Sequence, residues 1–70
     1  MSSTVNKIRG YRVMIGITQN EMAEKLSMSL RSYQLKESGE QSFKSDELLK
    51  IQEVLNEKNV KVSIDELLNA

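Results

Sequence analysis

Seventy residues and 8.0 kDa leave room for a single domain, residues 1–70, with a small core and short loops. Ten Lys+Arg balance ten Asp+Glu, and the chain has no Cys, His, Pro or Trp. That composition excludes disulfide frameworks, redox dithiols, thiolate zinc and imidazole ligation, so no metal or cofactor is expected, and at first sight the zero net charge argues against nucleic acid as well.

Met1-Ser-Ser-Thr-Val has neither the basic segment nor the apolar run of a secretion signal. Val13-Met14-Ile15, the most apolar stretch, is far too short to cross a membrane. The expected location is the cytoplasm, with no membrane partner. Ile8, Tyr11 and Ile15 recur at helical spacing and predict a first helix from Val5 to Ile15, closed by Gly16 in a positive-φ conformation. Thr18 with Glu21 has the spacing of a capping box and opens a second helix, whose apolar face is Met22, Ala23 and Leu26. Ser29 caps a third, from Leu30 to about Ser38, stopped by Gly39. Phe43 is read as a core plug after a polar loop. Ser45, followed by Asp46 and Glu47, starts a fourth helix that is acidic where the macrodipole favours it. Its buried face is Leu48, Ile51 and Leu55, flanked by Leu49 and Val54. Val60, Val62 and Ile64 alternate with polar residues, which permits a short extended segment. Ser63 and Glu66 then box a one-turn helix holding Leu67 and Leu68. The expected fold is an all-α bundle of about five short helices.

Two helices of about eight residues joined by a three-residue turn, Gln19 to Ser38, form the pattern of a helix-turn-helix. A steep crossing needs a small residue, and Ala23 supplies it. Met22, Leu26, Met28 and Tyr33 seal the unit. Ser29, Arg31 and Ser32 put short or polar groups at the start of the second helix, which lets it approach a base-pair edge. Arg31 has the reach to pair with guanine O6 and N7, a contact that discriminates by about 1–3 kcal/mol. Gln34 suits adenine or a phosphate, and Leu30 and Leu35 suit thymine methyls. Asp65 and Glu66 fit a helix start and not a catalytic pair, and so small a chain has no shielded cleft; no enzyme is expected.

From Ile8 to Leu68 the sequence resembles the phage lambda-type repressor and Cro family of helix-turn-helix DNA-binding domains. The resemblance is carried by Gly16-Ile17-Thr18-Gln19, by Met22-Ala23-Glu24-Lys25-Leu26, by Glu37-Ser38-Gly39 and by the closing Ser63-Ile64-Asp65-Glu66-Leu67-Leu68. It implies an internal ion pair between Arg12 and Glu37, and a phosphate contact from Gln19. It also implies that Lys36, Ser38, Gln41, Ser42 and Lys44 lie where the family holds phosphates, with Ser29 and Ser32 helping to position the helix. Two residues depart from the pattern. Ser27 stands where glycine is usual, at a cost of roughly 1 kcal/mol if it turns left-handed. Lys36 stands where a bulky apolar residue is usual: either its stem is buried past the core edge, or the helix turns so that Leu35 packs inward.

The resemblance implies a sequence-specific DNA-binding transcriptional regulator, a Cro-type repressor reading a pseudo-palindromic operator with helix 30–38. The short chain favours Cro over a longer repressor, and no small-molecule effector is implied. Val60, Val62, Ile64, Leu67 and Leu68 either form a small isologous contact in a weak homodimer, or a dimer made on DNA, or close the monomer core. The alternative function is a protein-interaction module of the same fold, an antitoxin or antirepressor, favoured by Leu30 and Leu35 on the supposed DNA face. The neutral total conceals an asymmetry. Residues 1–44 carry seven Lys/Arg and four acidic residues, whereas 45–70 carry three Lys and six acidic residues. The helix-turn-helix therefore sits in a half of charge +3, and a half of charge −3 follows it.

Overall fold

A computed structural model describes residues 7–68, Leu68 through its backbone alone. Five helices follow in chain order: α1 Lys7–Met14, α2 Gln19–Lys25, α3 Leu30–Glu37, α4 Ser45–Glu57 and α5 Ile64–Leu68, with no strand among the described residues. The expected first turn from Val5 lies outside the described residues. Starts and stops follow local chemistry. Thr18 Oγ1 accepts the Glu21 N–H at 3.0 Å while Glu21 Oε1 accepts the Thr18 N–H at 2.7 Å, a complete capping box. Ser29 Oγ accepts the Ser32 N–H at 3.1 Å, and Ser63 and Glu66 close a second box ahead of α5.

The first four helices all end in the same way. The residue two beyond the last helical one takes a positive φ, its N–H bonds three residues back, and the next N–H bonds five residues back, which is the Schellman arrangement. Gly16 (φ 75) and Gly39 (φ 91) fill that position after α1 and α3, but Ser27 (φ 58) fills it after α2 and Asn59 (φ 65) after α4. At α2 the Ser27 N–H reaches Glu24 O at 3.1 Å and the Met28 N–H reaches Ala23 O at 3.0 Å. The two hydrogen bonds and the half-buried Met28 side chain hold Ser27 left-handed despite its Cβ. This turn sets the angle between α2 and α3.

The core is Ile8, Met22, Ala23, Leu26, Tyr33, Leu48, Ile51, Val54, Leu55 and Leu67, with Tyr11, Ile15, Ile17, Met28 and Phe43 packed against it. Phe43 is half-buried, its ring 6.0 Å from that of Tyr33 and tilted by 59°. On α4, Val54 extends the inward arc of Leu48, Ile51 and Leu55 by about 60° and is still buried, whereas Leu49 lies about 100° round the other way from Leu48 and is 51% exposed.

Two points left open for the C-terminal part are decided among the described residues. Residues 60–63 form no strand, because no neighbouring strand is there to pair with them; Gln52 Nε2 donates to Val62 O at 2.9 Å instead. Leu67 is 2% exposed and belongs to the monomer core, so it is not available as a dimer contact. Val60, Val62 and Ile64 are half-buried against that core, and the side chain of Leu68 lies outside the description.

The helix ends generate a paired prediction. Ser27→Gly relieves a left-handed Cβ, and Gly10→Ala fills an exposed mid-helix position with nothing within 4 Å of the new methyl group. Each should stabilise by about 0.5–1 kcal/mol, raising Tm by about 3–6 °C in thermal denaturation. A fall in Tm for Ser27→Gly would show that its hydroxyl, and not the turn geometry, matters at this position.

Candidate nucleic-acid interface

Helical geometry divides α3 into two faces. At 100° per residue, Arg31, Gln34, Leu35 and Ser38 fall on one side and Tyr33, Lys36 and Glu37 on the other, with Leu30 at the border about 20° from Glu37. The inward side is fixed by a carboxylate. Glu37, 3% exposed, accepts Arg12 Nε at 2.8 Å and Gln19 Nε2 at 2.8 Å on its two oxygens, with a further contact to Arg12 Nη2 at 3.3 Å. The buried Tyr33 hydroxyl donates to the same group. Arg12 continues the network by donating Nη1 to Ile17 O at 2.8 Å. One anion thereby ties α1, the start of α2 and the end of α3 together, and no buried side-chain polar atom among the described residues lacks a partner.

Burial alone would push the Glu37 carboxyl up. Hydrogen bonds from Arg12, Tyr33 and Gln19, with the charge of Arg12, outweigh it and hold the group below the usual carboxylate range. Arg12 is raised, chiefly by its hydrogen bond to Glu37 and against its own burial. Tyr33 is raised by burial and by donating to a carboxylate.

The outward side is open. Leu30 is 38% exposed, Arg31 and Gln34 are exposed, Ser32 is half-buried and Leu35 is half-buried. Gln34 Nε2 donates to Gln19 Oε1 at 3.1 Å, so the two glutamines lie side by side and Gln19 links Gln34 to Glu37. Gln19 is thus half-buried in the internal network, with one Nε2 hydrogen on Glu37 and its oxygen accepting from Gln34, and the second Nε2 hydrogen in neither bond. Ser29 is the exposed cap of α3. Past the end of α3, Ser38 Oγ donates to Leu35 O at 3.0 Å, and Gln41, Ser42 and Lys44 are exposed on the loop.

Of the two alternatives at positions 35 and 36, the structure shows the first: the Lys36 stem is buried. Its side chain is 11% exposed, and Nζ lies 2.7 and 2.8 Å from the two oxygens of Glu47. The expectation that Lys36 meets a phosphate is therefore revised, since its charge is directed inward. Burial pushes the Glu47 carboxyl up, but the hydrogen bonds from Lys36 and the Lys44 N–H prevail and lower it. Sequence reading missed this pair, because nothing periodic links residues eleven apart across a turn. It also took Tyr33 only as an apolar seal, although its i, i+4 spacing from Glu37 was visible.

Two short helices joined by a tight turn, the small Ala23 buried on the first and the second anchored on one side and open on the other, define a helix-turn-helix module. The helix-turn-helix family model matches residues 8–60, and the chain belongs to that family, in its lambda repressor and Cro-like branch of DNA-binding regulators. Comparison with curated proteins and with solved structures gives no match. Among the described residues no helix is long and apolar enough to cross a membrane, and no group of His, Cys, Asp or Glu could hold a metal ion.

Removing the Glu37 carboxylate should cost more than any surface change. Glu37→Ala leaves Arg12 buried without its anion and should destabilise by about 3–5 kcal/mol, a large part of what so small a domain has. The pH dependence has a definite sign. A carboxyl lowered in the folded state contributes stability above its ordinary value of 4.5, and this is lost as pH falls through the folded value. Thermal denaturation should show Tm falling below about pH 5, with a shallower fall in Glu37→Gln; Glu47, also lowered, supplies part of the remaining slope. Equal slopes in the two proteins would remove Glu37 from the centre of the network.

Proposed function

We propose that this chain is a Cro-type repressor that reads the major groove of a pseudo-palindromic operator with α3, as a single domain spanning residues 1–70. The observation that carries the reading is the open face of α3, where Leu30, Arg31 and Gln34 are exposed while Tyr33 and Glu37 are buried and fastened. Arg31 reads guanine as a bidentate donor, and Leu30 and Leu35 meet thymine methyls. Gln34 keeps its amide oxygen for an adenine N6–H2, and the second hydrogen of the Nε2 that braces Gln19 for adenine N7 or a phosphate. Ser29, Ser32 and Gln19 at the helix starts, and Ser38, Gln41, Ser42 and Lys44 after α3, fix the register on the backbone without reading sequence.

Charge supports this side as the one that faces the duplex. Arg12 and Lys36 are matched internally by carboxylates, which leaves Lys7, Arg9, Lys25, Arg31 and Lys44 exposed among the described residues up to 44, against Glu21, Glu24 and Glu40. That modest surplus fits moderate affinity. Repression is steric: two copies place their α3 helices in successive major grooves, about 34–36 Å apart, and block the transcription machinery. No catalytic step, cofactor or effector enters. The half-buried Val60, Val62 and Ile64 supply a small isologous contact that forms on DNA. A second reading, a module that binds protein through the same face, rests on the exposure of Leu30.

Salt separates the two. A DNA-binding face touching about four or five phosphates should lose about a hundredfold or more in affinity between about 50 and 200 mM salt, which an apolar protein interface would not. With a site selected from random duplexes, Arg31→Ala should weaken specific binding by about 10–100-fold and leave non-specific binding nearly unchanged. Equal losses on both would confine Arg31 to the phosphates. Sedimentation with and without that duplex should show two copies on the DNA; a monomer in both cases contradicts the paired-groove arrangement.

A further inference from the structure

The Lys36–Glu47 pair raises a question of its own, because the carboxylate serves more than one partner. Glu47 Oε1 accepts Lys36 Nζ at 2.7 Å and the backbone N–H of Lys44 at 2.8 Å. One group thus holds α3, the end of the 38–44 loop and the first turn of α4. The loop itself, Ser38-Gly39-Glu40-Gln41-Ser42-Phe43-Lys44, contains a single cation, Lys44. It is anchored at its start by the Glu40 and Gln41 N–H groups on Leu35 O, at 3.0 and 3.1 Å, and by Phe43 against Tyr33.

Lys44 is exposed and stands immediately before α4, three residues ahead of Glu47. A four-carbon ammonium stem at that position reaches a carboxylate one turn on, and the Lys44 charge already acts on Glu47. Without Lys36, Glu47 would be a mostly buried anion lacking its bidentate partner, with Lys44 as the cation beside it in the chain. Closing on Glu47 would withdraw the only positive charge from the loop.

We propose that Lys36 is a positioning residue for nucleic-acid binding: it neutralises Glu47 inside the protein and so leaves the Lys44 ammonium free for a phosphate. This rests on the DNA reading above and gives Lys36 an indirect role in place of a direct contact. The chain departs from the apolar habit at position 36, and the departure gains a purpose in this way.

The test uses a duplex of random sequence, for which affinity depends on phosphates alone, and follows binding against salt, with Tm measured for every variant. Each phosphate contact contributes about 0.9 to the slope of log K against log salt. Lys44→Ala should lower the slope by about 0.9 and weaken binding about 5–10-fold near 100 mM salt. Lys36→Met, which keeps the length of the stem, should lower the slope equally, and should add nothing when combined with Lys44→Ala. Lys36→Met/Glu47→Gln should restore the slope, because an amide has no charge with which to hold Lys44. If Lys36→Met does not fold, Glu47→Gln alone decides the matter: its slope should be no lower than that of the unmodified chain. An unchanged slope in Lys36→Met overturns the inference, as does a further loss on top of Lys44→Ala, which would show Lys36 itself on a phosphate. An unmodified chain with no salt slope would instead remove the DNA reading, and the inference with it.

Discussion

A single buried carboxylate determines where the second helix of the helix-turn-helix can stand. Glu37 accepts from Arg12 on α1, Gln19 on α2 and Tyr33 on α3 itself, so the three helices meet at one anion. Burying that charge is affordable only because both oxygens are occupied and a guanidinium lies alongside. The consequence is directional. With Tyr33 and Glu37 fastened inward, α3 has to present Arg31 and Gln34 outward, with Leu30 partly exposed at the border of the two faces. The same network reaches the surface through Gln19 and Gln34, so the anchor and the open face are linked by hydrogen bonds as well as by the helix.

Around this anchor the chain relies on local devices. Four helices end with one hydrogen-bonding pattern, and only two of them use glycine for it. Ser27 and Asn59 accept a strained backbone because hydrogen bonds on either side of the turn leave no alternative. The loop after α3 is held at both ends, by the Gln41 N–H on Leu35 O and the Lys44 N–H on Glu47, while the side chains of Gln41, Ser42 and Lys44 stay exposed. A neutral chain can serve an anionic partner in this way. Its charges are sorted along the sequence, and two of the cations in the basic half are used to hold the fold.

What could be read from the sequence was the part governed by neighbours within a turn or two. Thr18 with Glu21, Ser29, and Ser63 with Glu66 announce helix starts because the partners are three residues apart. Met22, Ala23, Leu48, Ile51 and Leu55 announce buried faces because helical repetition alone sets their side. Contacts between distant segments were less legible. Lys36 and Glu47 meet across a turn, and Gln19 meets both Glu37 and Gln34, and no local pattern encodes either encounter. Val60, Val62 and Ile64 left their role open for a related reason: alternation records which side chains lean on a core, and without a neighbouring strand it makes no sheet.

The central claim is that the outward face of α3 and the loop behind it meet the duplex while the acidic C-terminal half points away. Backbone amide shifts measured by NMR during titration with duplex DNA test it most directly. The account predicts that the perturbed amides cluster from residue 29 to 44 and at the start of α2, with α5 and the later turns of α4 quiet. Strongest perturbation in residues 48–68, with α3 unmoved, would contradict it.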